Sequence, residues 1–192
     1  MVHDDRQKWN SIYQTGEHDT NQAAEVLTTN LHLLPTQGTA LDLACGLGAN
    51  AMLLAEAGLH THAWDISDIA ITKLYNRAID AGFEIQVEQR DVIQCPPTTE
   101  SFDVIIVSRF LARSMFNFII EALTKNGLLF YQTFTCNKLD RTGPENPDYL
   151  LGRNELLTLF NTMNIIYYRE NDTVGKLDIG NRNEAMIIAQ KI

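Results

Sequence analysis

From residue 40 onward, apolar runs of strand length alternate with segments of helical period, an order that restricts the chain to helices layered on a largely parallel sheet. The runs at 40–43, 61–64, 85–89, 104–107, 128–133, 165–169 and 185–189 predict strands. Between them, 49–57, 69–81, 115–125 and 155 to about 160 predict helices. In 69–81, Ile71, Leu74, Tyr75, Ala78 and Ile79 recur at the spacing of a half-buried helix, so this segment is expected to pack on the sheet through that face. Gly58, Gly82 and Gly127 each stand just past a helical pattern, where a left-handed residue closes the last turn, and Ser67 or Asp68 supplies an N-cap for 69–81. Parallel neighbours need crossovers, which the helices provide for the first five strands. The stretch "ENDTVGKLDIGNRNE" is too weakly apolar for a helix, so the last two strands are expected as an antiparallel hairpin. The expected fold is thus α/β, a doubly wound sheet with helices on both faces.

The first strand runs directly into "ALDLACGLGAN", residues 40–50. In open α/β sheets ligands bind beyond the carboxyl ends of the strands, which is where this turn lies. Gly46 and Gly48 let the backbone approach a ligand and take dihedrals that a side chain opposes. The pattern Gly46-x-Gly48-x-x-Ala51, with Asp65 at the end of the second strand, also satisfies a loose dinucleotide signature. Asp42 argues against that ligand, because a carboxylate at the strand end repels a pyrophosphate. A ligand with cationic centres suits Asp42 and Asp65 better.

Composition sets the outer bounds. A chain of 192 residues, 45% hydrophobic and 20% charged, builds one sizeable core and predicts a single domain over 1–192. Its formal charge of -9 repels polyanions, so nucleic acid is an unexpected partner. Cys45, Cys95 and Cys136 are far apart and have no paired histidine spacing, which predicts reduced thiols, a cytoplasmic setting and no metal. The N-terminal "MVHDDRQKWN" is polar where a signal peptide is apolar, and no run approaches the length of a membrane span.

The ordered motifs resemble the class I S-adenosylmethionine-dependent methyltransferases, over most of the chain from Trp9 onward. "LDLACGLGAN" is similar to that family's first motif, with Ala44 where glycine is commonest, and the resemblance implies that Asp42, Ala44, Cys45, Gly46, Gly48 and Asn50 surround the amino-acid part of the cofactor. "AWDIS" resembles the second, which implies that Asp65 holds the ribose hydroxyls, with Ile66 on the adenine face and Ser67 beside it. "QRDV" resembles the third, implying that Asp91 accepts from the adenine amino group while Val92 donates its backbone N–H. "FDVIIVS" and "LTKNGLLFYQTF" resemble the fourth and fifth strands; Ser108 at the end of the fourth is implied beside the cofactor. The family's strand order is 3-2-1-4-5-7-6 with strand 7 antiparallel, in agreement with the hairpin inferred above.

Within that family the chain is most similar to the small bacterial tellurite-resistance and thiopurine group. "WNSIYQTGE" resembles its W-x-x-x-Y entry segment, which implies that Trp9 and Tyr13 belong to a cofactor-covering segment, 1–34. "SRFLAR" and "GPENPDYLLGRNELLTLF" resemble its stretch after the fourth strand and its lid, 136–152. Arg109, Phe110 and Phe134 are the candidate substrate contacts, and a guanidinium at Arg109 points to an anionic, thiol or chalcogen acceptor. The implied activity is transfer of a methyl group from S-adenosylmethionine, leaving S-adenosylhomocysteine, to a small molecule, with no catalytic base assigned.

Several of these residues also have plain structural readings. Asp42 can cap the turn, Asp65 and Asp91 can be ordinary acids after strands, Trp9 and Tyr13 a core-facing pair, and Arg109 and Arg113 solvated charges. Cys45 reads as a small space-filler. "NPDY", 146–149, resembles the box by which adenine methyltransferases hold a flipped base, but it follows the fifth strand instead of the fourth and reads as lid. The competing functions are an NAD-dependent oxidoreductase, for which the chain has no room for a substrate domain, and a module that binds S-adenosylmethionine without catalysis.

Overall fold

The computed structural model describes residues 2–16 and 22–192, with side chains from residue 5. Residues 1 and 17–21 of the expected covering segment lie outside the described residues. The apolar runs form strands β1 (Thr39–Leu43), β2 (His60–Asp65), β3 (Ile85–Gln89), β4 (Phe102–Ser108), β5 (Leu123–Phe134), β6 (Asn164–Arg169) and β7 (Glu184–Gln190). They make one seven-stranded sheet in the order β3-β2-β1-β4-β5-β7-β6, the order the resemblance implies. The first five strands are parallel, and β7 runs antiparallel to both β5 and β6. The helices are α1 (Val2–Thr15), α2 (Glu25–Thr28), α3 (Ala49–Glu56), α4 (Asp68–Ala81), α5 (Phe116–Ala122) and α6 (Glu155–Leu159).

Because side chains alternate across a strand, the central strands are apolar on both faces. Leu41, Leu43, Ile105, Val107, Leu129, Tyr131 and Ile187 face one way, against Phe116, Ile119, Leu156 and Phe160 from the α5 and α6 side. Ala40, Val104, Ile106, Phe130, Met186 and Ile188 face the other way, against Val26 and Leu27 of α2 and Leu54 of α3. Burying each large aliphatic chain contributes about 1.5–3 kcal/mol.

Three local expectations change. The helix expected over 115–125 stops at Ala122, because Leu123 turns extended at φ -68 and ψ 139 and pairs with Phe102 at the start of β4. Gly58 (φ 91) and Gly82 (φ 74) are left-handed as expected, whereas Gly127 closes no helix, because α5 ends in the extended Leu123 and the nearby left-handed residue is Asn126 (φ 66), inside β5. Gly127 is needed for space: a Cβ there would stand 2.9 Å from the Thr124 carbonyl oxygen. Of the five positions expected to face the sheet from α4, Ile71, Leu74 and Ala78 are buried, and Tyr75 and Ile79 are exposed, because β3 is the edge of the sheet and no further strand lies under them. Ser67 caps this helix as expected, its Oγ accepting from the Ala70 N–H at 3.2 Å.

Candidate functional site

The turn between β1 and α3 alternates left-handed residues: Ala44 at φ 56, Gly46 at φ 53 and Gly48 at φ 71. Gly48 is the N-cap of α3 and has no side chain to satisfy the first helical N–H groups. Asp42 does so from the strand, its Oδ2 accepting from the Ala51 N–H at 3.0 Å. The plain capping reading of Asp42 is therefore realised in the structure. Its carboxyl is fully buried, and burial, partly offset by hydrogen bonds from Ala51 and Asn50, pushes its pKa up to about 7. Asp65 staples this turn to the next: its Oδ2 accepts from the Gly46 N–H at 2.8 Å and its Oδ1 from the Ser67 N–H at 2.9 Å. Burial raises its pKa also, against these hydrogen bonds. Neither acid has a salt bridge among the described residues. Cys45 is buried between them, and desolvation followed by the charge of Asp42 holds its thiol neutral, in keeping with a space-filling role.

Along the sheet toward β3, Ile66 is half-buried and Val92 buried. Asp91 caps its own turn, its Oδ1 accepting from the Ile93 and Gln94 N–H groups at 3.0 and 3.3 Å, with Oδ2 taking no hydrogen bond from the described residues.

Helix α1 lies over this end of the sheet. Trp9 and Tyr13 stack with ring centroids 5.8 Å apart. Tyr13 sits on the first turn, its hydroxyl oxygen 2.7 Å from where a Cβ on Gly46 would be. Burial, then the neighbouring charge of Asp65, raises its phenol pKa. The attachment of α1 to α4 is polar: Asp68 accepts from Arg6 at 2.9 Å and Asn10 at 2.8 Å, Ser67 donates to Asn10 at 2.6 Å, and Lys73 donates to the Tyr13 carbonyl at 2.6 Å.

On the face that carries Ala40, Ile106, Phe130 and Ile188, four neighbouring strands each end their apolar run in a polar residue: Asp42, Ser108, Gln132 and Glu184. Asn50 and Gln132 use this row to hold the start of α2. Asn50 donates to Ser108 at 3.0 Å and accepts from the Ala24 N–H at 2.8 Å; Gln132 donates to Glu184 and accepts from the Val26 N–H at 2.7 Å. Arg109, just beyond β4, is itself left-handed at φ 54, and its Nε donates to Glu184 at 3.0 Å. Phe110 is fixed through its carbonyl, which accepts from the Tyr131 hydroxyl at 2.7 Å. Phe134 is buried, and the loop that follows β5 folds Gly143 onto its ring, leaving 2.5 Å for any added Cβ.

Glu184 and Gln132 were not among the candidates, nor was Arg113 as a fixed group. Arg113 grips the loop before α6, donating to Glu155 and to the carbonyls of Asp148 and Leu150. "NPDY" forms a single tight turn, with the Asn146 side chain accepting from the Asp148 N–H. A sequence signal existed for Glu184. An antiparallel last strand begins at the ligand end of the sheet, so its first residue shares that end with the parallel strands' last ones. Among the described residues no group of histidine, cysteine and acidic side chains is arranged to hold a metal, and no helix is long and apolar enough to cross a membrane.

Residues 40–127 match the family model described as a methyltransferase domain. The chain is similar to a cypemycin N-terminal methyltransferase from Streptomyces, with 29% identity over 136 residues, 65% of this chain and 54% of the relative. The chain thus spans about half the length of that curated relative. Its fold is similar to TehB from Haemophilus influenzae, with TM-score 0.71 and 19% identity over 96% of this chain and 67% of that one. It is likewise similar to a geranyl diphosphate C-methyltransferase from Streptomyces coelicolor, solved with S-adenosyl-L-homocysteine, with TM-score 0.73 and 13% identity over 100% and 97% of the two chains.

Proposed function

We propose that this chain, which carries a class I S-adenosylmethionine-dependent methyltransferase domain, methylates a small molecule. The observation that supports this most is the pair of buried acids, Asp42 and Asp65, beside a turn of left-handed residues and without a salt bridge among the described residues. Buried carboxylates are costly without a counter-charge, and a ligand bearing a sulfonium and an ammonium supplies one. The residues present therefore fit S-adenosylmethionine. Asp65 has lone pairs beyond those used by Gly46 and Ser67, and it takes the ribose hydroxyls. Asp91 meets the adenine amino group through its second oxygen, with the Val92 N–H and Ile66 beside the ring. Ala44, Cys45, Gly46, Gly48, Asn50 and Ser108 line the methionine part. Trp9 and Tyr13, within the covering segment 1–34, close over it.

When bound, the cofactor supplies a methyl carbon activated by a sulfonium leaving group. What remains for the protein is alignment and exclusion of water, which effective molarity makes worth several kcal/mol, on the order of 7–11 at most. The end of β4 faces the methyl group in this architecture. There Arg109 offers a guanidinium, with side chain 46% exposed, against the apolar walls of Phe110 and Phe134. The segment 136–152, anchored by Arg113 and lying on Phe134, is the lid. We infer a small acceptor that attacks as a thiolate or chalcogen oxyanion and needs no base from the protein.

The test has two parts. Calorimetric titration should show binding of S-adenosylhomocysteine and none of NAD; the reverse overturns the cofactor. Labelled methyl donor should then be offered with sodium tellurite, sodium selenite, thiophenol, 2-mercaptobenzoate and an alanine-leading tripeptide. Labelling of a thiol or chalcogen acceptor is expected. Labelling of the tripeptide alone overturns the acceptor class, and cofactor binding with no transfer overturns catalysis.

A further inference from the structure

We propose that Glu184 is a positioning residue of the acceptor side, acting through Arg109 and held in place by Gln132 and Asn181; this rests on the reading above that the end of β4 meets the acceptor. Glu184 is the first residue of β7 and is only 4% exposed, yet it carries a carboxylate. Each of its oxygens is occupied from a different element. Oε1 accepts from Arg109 Nε at 3.0 Å; Oε2 accepts from Gln132 and from Asn181 at 2.7 Å. Burial of an acid at the ligand end of a sheet, with three donors converging on it, needs a reason beyond packing.

The chain of contacts supplies that reason. Arg109 is a non-glycine residue at φ 54, tied by its backbone N–H to the Gln132 carbonyl at 2.8 Å, so its main chain is fixed beside Gln132. The guanidinium is planar and its donors point in fixed directions, so anchoring Nε on Glu184 sets the plane in which the rest of the group is presented. Gln132 cannot turn over. Its amide N–H group faces a carboxylate, which leaves its carbonyl to face the Val26 N–H at 2.7 Å. The same side chain therefore joins the acceptor-side ion pair to the seating of α2, an element within the proposed cofactor-covering segment.

The two members of the pair differ in what their loss does to folding. Removing Glu184 leaves a cation that is already half exposed, whereas removing Arg109 leaves a buried carboxylate with only neutral donors. Glu184→Gln is accordingly the gentler change, and Asn181→Ala, which removes one neutral donor and the acceptor of the Asn183 N–H at 3.2 Å but no charge, is gentler still.

The experiment is a double-mutant cycle on kcat and KM, using whichever member of the acceptor panel is turned over fastest, with S-adenosylhomocysteine affinity measured in parallel. Glu184→Gln and Arg109→Met are each expected to raise the acceptor KM about tenfold, and the double variant by about the same factor, because each acts through the other. Asn181→Ala should raise it about threefold, and S-adenosylhomocysteine affinity should stay within about twofold throughout. Single effects that multiply to about a hundredfold, or cofactor affinity that falls in step with KM, overturn the proposal. An acceptor turned over equally well by wild type and by both Glu184→Gln and Asn181→Ala overturns it alone, whereas a panel silent on the wild type overturns the methyl-transfer reading together with it.

Discussion

Two glycines two positions apart in the first turn have different reasons to be glycine. A Cβ on Gly46 meets the far end of Tyr13, a side chain on a cover helix that can move aside. One on Gly48 meets the Leu74 methyls at 2.4 Å, inside the core between α4 and the sheet. Gly46→Val should therefore leave the protein folded and abolish S-adenosylhomocysteine binding, since the branched side chain takes the ligand's space and opposes φ 53. Gly48→Val should lower the melting temperature further, because it shares the left-handed strain and adds overpacking against Leu74, costing about 1–3 kcal/mol or more. Calorimetric titration and thermal melts separate the two; tight ligand binding by a folded Gly46→Val variant removes this turn from the site. The same reasoning separates the roles of Asp65. Because its carboxylate takes two buried backbone N–H groups, Asp65→Ala costs stability as well as affinity, about 1–3 kcal/mol for each donor left unpaired.

At the scale of elements, helix α1 is fastened to α4 by an exposed ion pair to Asp68 and a few further hydrogen bonds around it. Such surface pairs contribute about 0–1 kcal/mol and weaken with salt. Asp68→Ala should accordingly leave the melting temperature nearly unchanged while loosening the cover, seen as weaker S-adenosylhomocysteine binding by about threefold and faster amide exchange through 5–15. Unaltered exchange in the variant would show that Asp68 does not fasten the helix. This contrast also explains what the sequence disclosed about the elements. Strands and the Ser67 cap were legible because alternation, helical period and capping are local. The end of α5 was not, since Leu123 is drawn out of the helix by Phe102, a residue distant in sequence. Nor was the narrow buried face of α4, because Tyr75 and Ile79 are exposed by their place over a sheet edge. Of the candidate site, the motif residues Asp42, Asp65, Asp91 and Ser108 stand at or just past the carboxyl ends of β1 to β4, since each is next to a strand end that is itself legible. Glu184 had a sequence signal for its place at the ligand end, but its pairing with Arg109 and Gln132 did not, because the partners come from the loop after β4, from β5, α2 and the loop before β7, and no local pattern announces such a meeting.

For the molecule as a whole, the titrating groups fall into two sets with opposite effects on stability. Asp68, Asp140, Glu155 and Asp172 have pKa values lowered in the fold, by hydrogen bonds for the first three and, for Asp172, by hydrogen bonds and Arg153 outweighing desolvation. Their contribution is present above the ordinary carboxylate range and is lost as pH falls through it. Asp42 works the other way. Burial raises it from 3.8 to about 7, so the folded protein binds a proton that the unfolded chain has released, and this contribution is complete below about 3.8 and lost as pH rises through about 7. Asp65, raised by the same cause, adds to it in the same direction. The formal charge of -9 at pH 7 acts in that direction too. Without ligand, the melting temperature should therefore be highest in mildly acidic solution, decline from about pH 4 to about pH 7 and level off above that. Asp42→Asn is isosteric and cannot ionise, so its melting temperature should be flatter over that interval and should exceed the wild type's at the alkaline end. S-adenosylmethionine, which brings positive charge to the buried acids, should stabilise the wild type most at alkaline pH, where those acids are ionised, and the variant less. Melts of both proteins across this range, with and without the ligand, decide the matter: a variant with the wild type's slope would show that Asp42 does not titrate there, and a ligand effect independent of pH would show that its charge is not felt at the cofactor site.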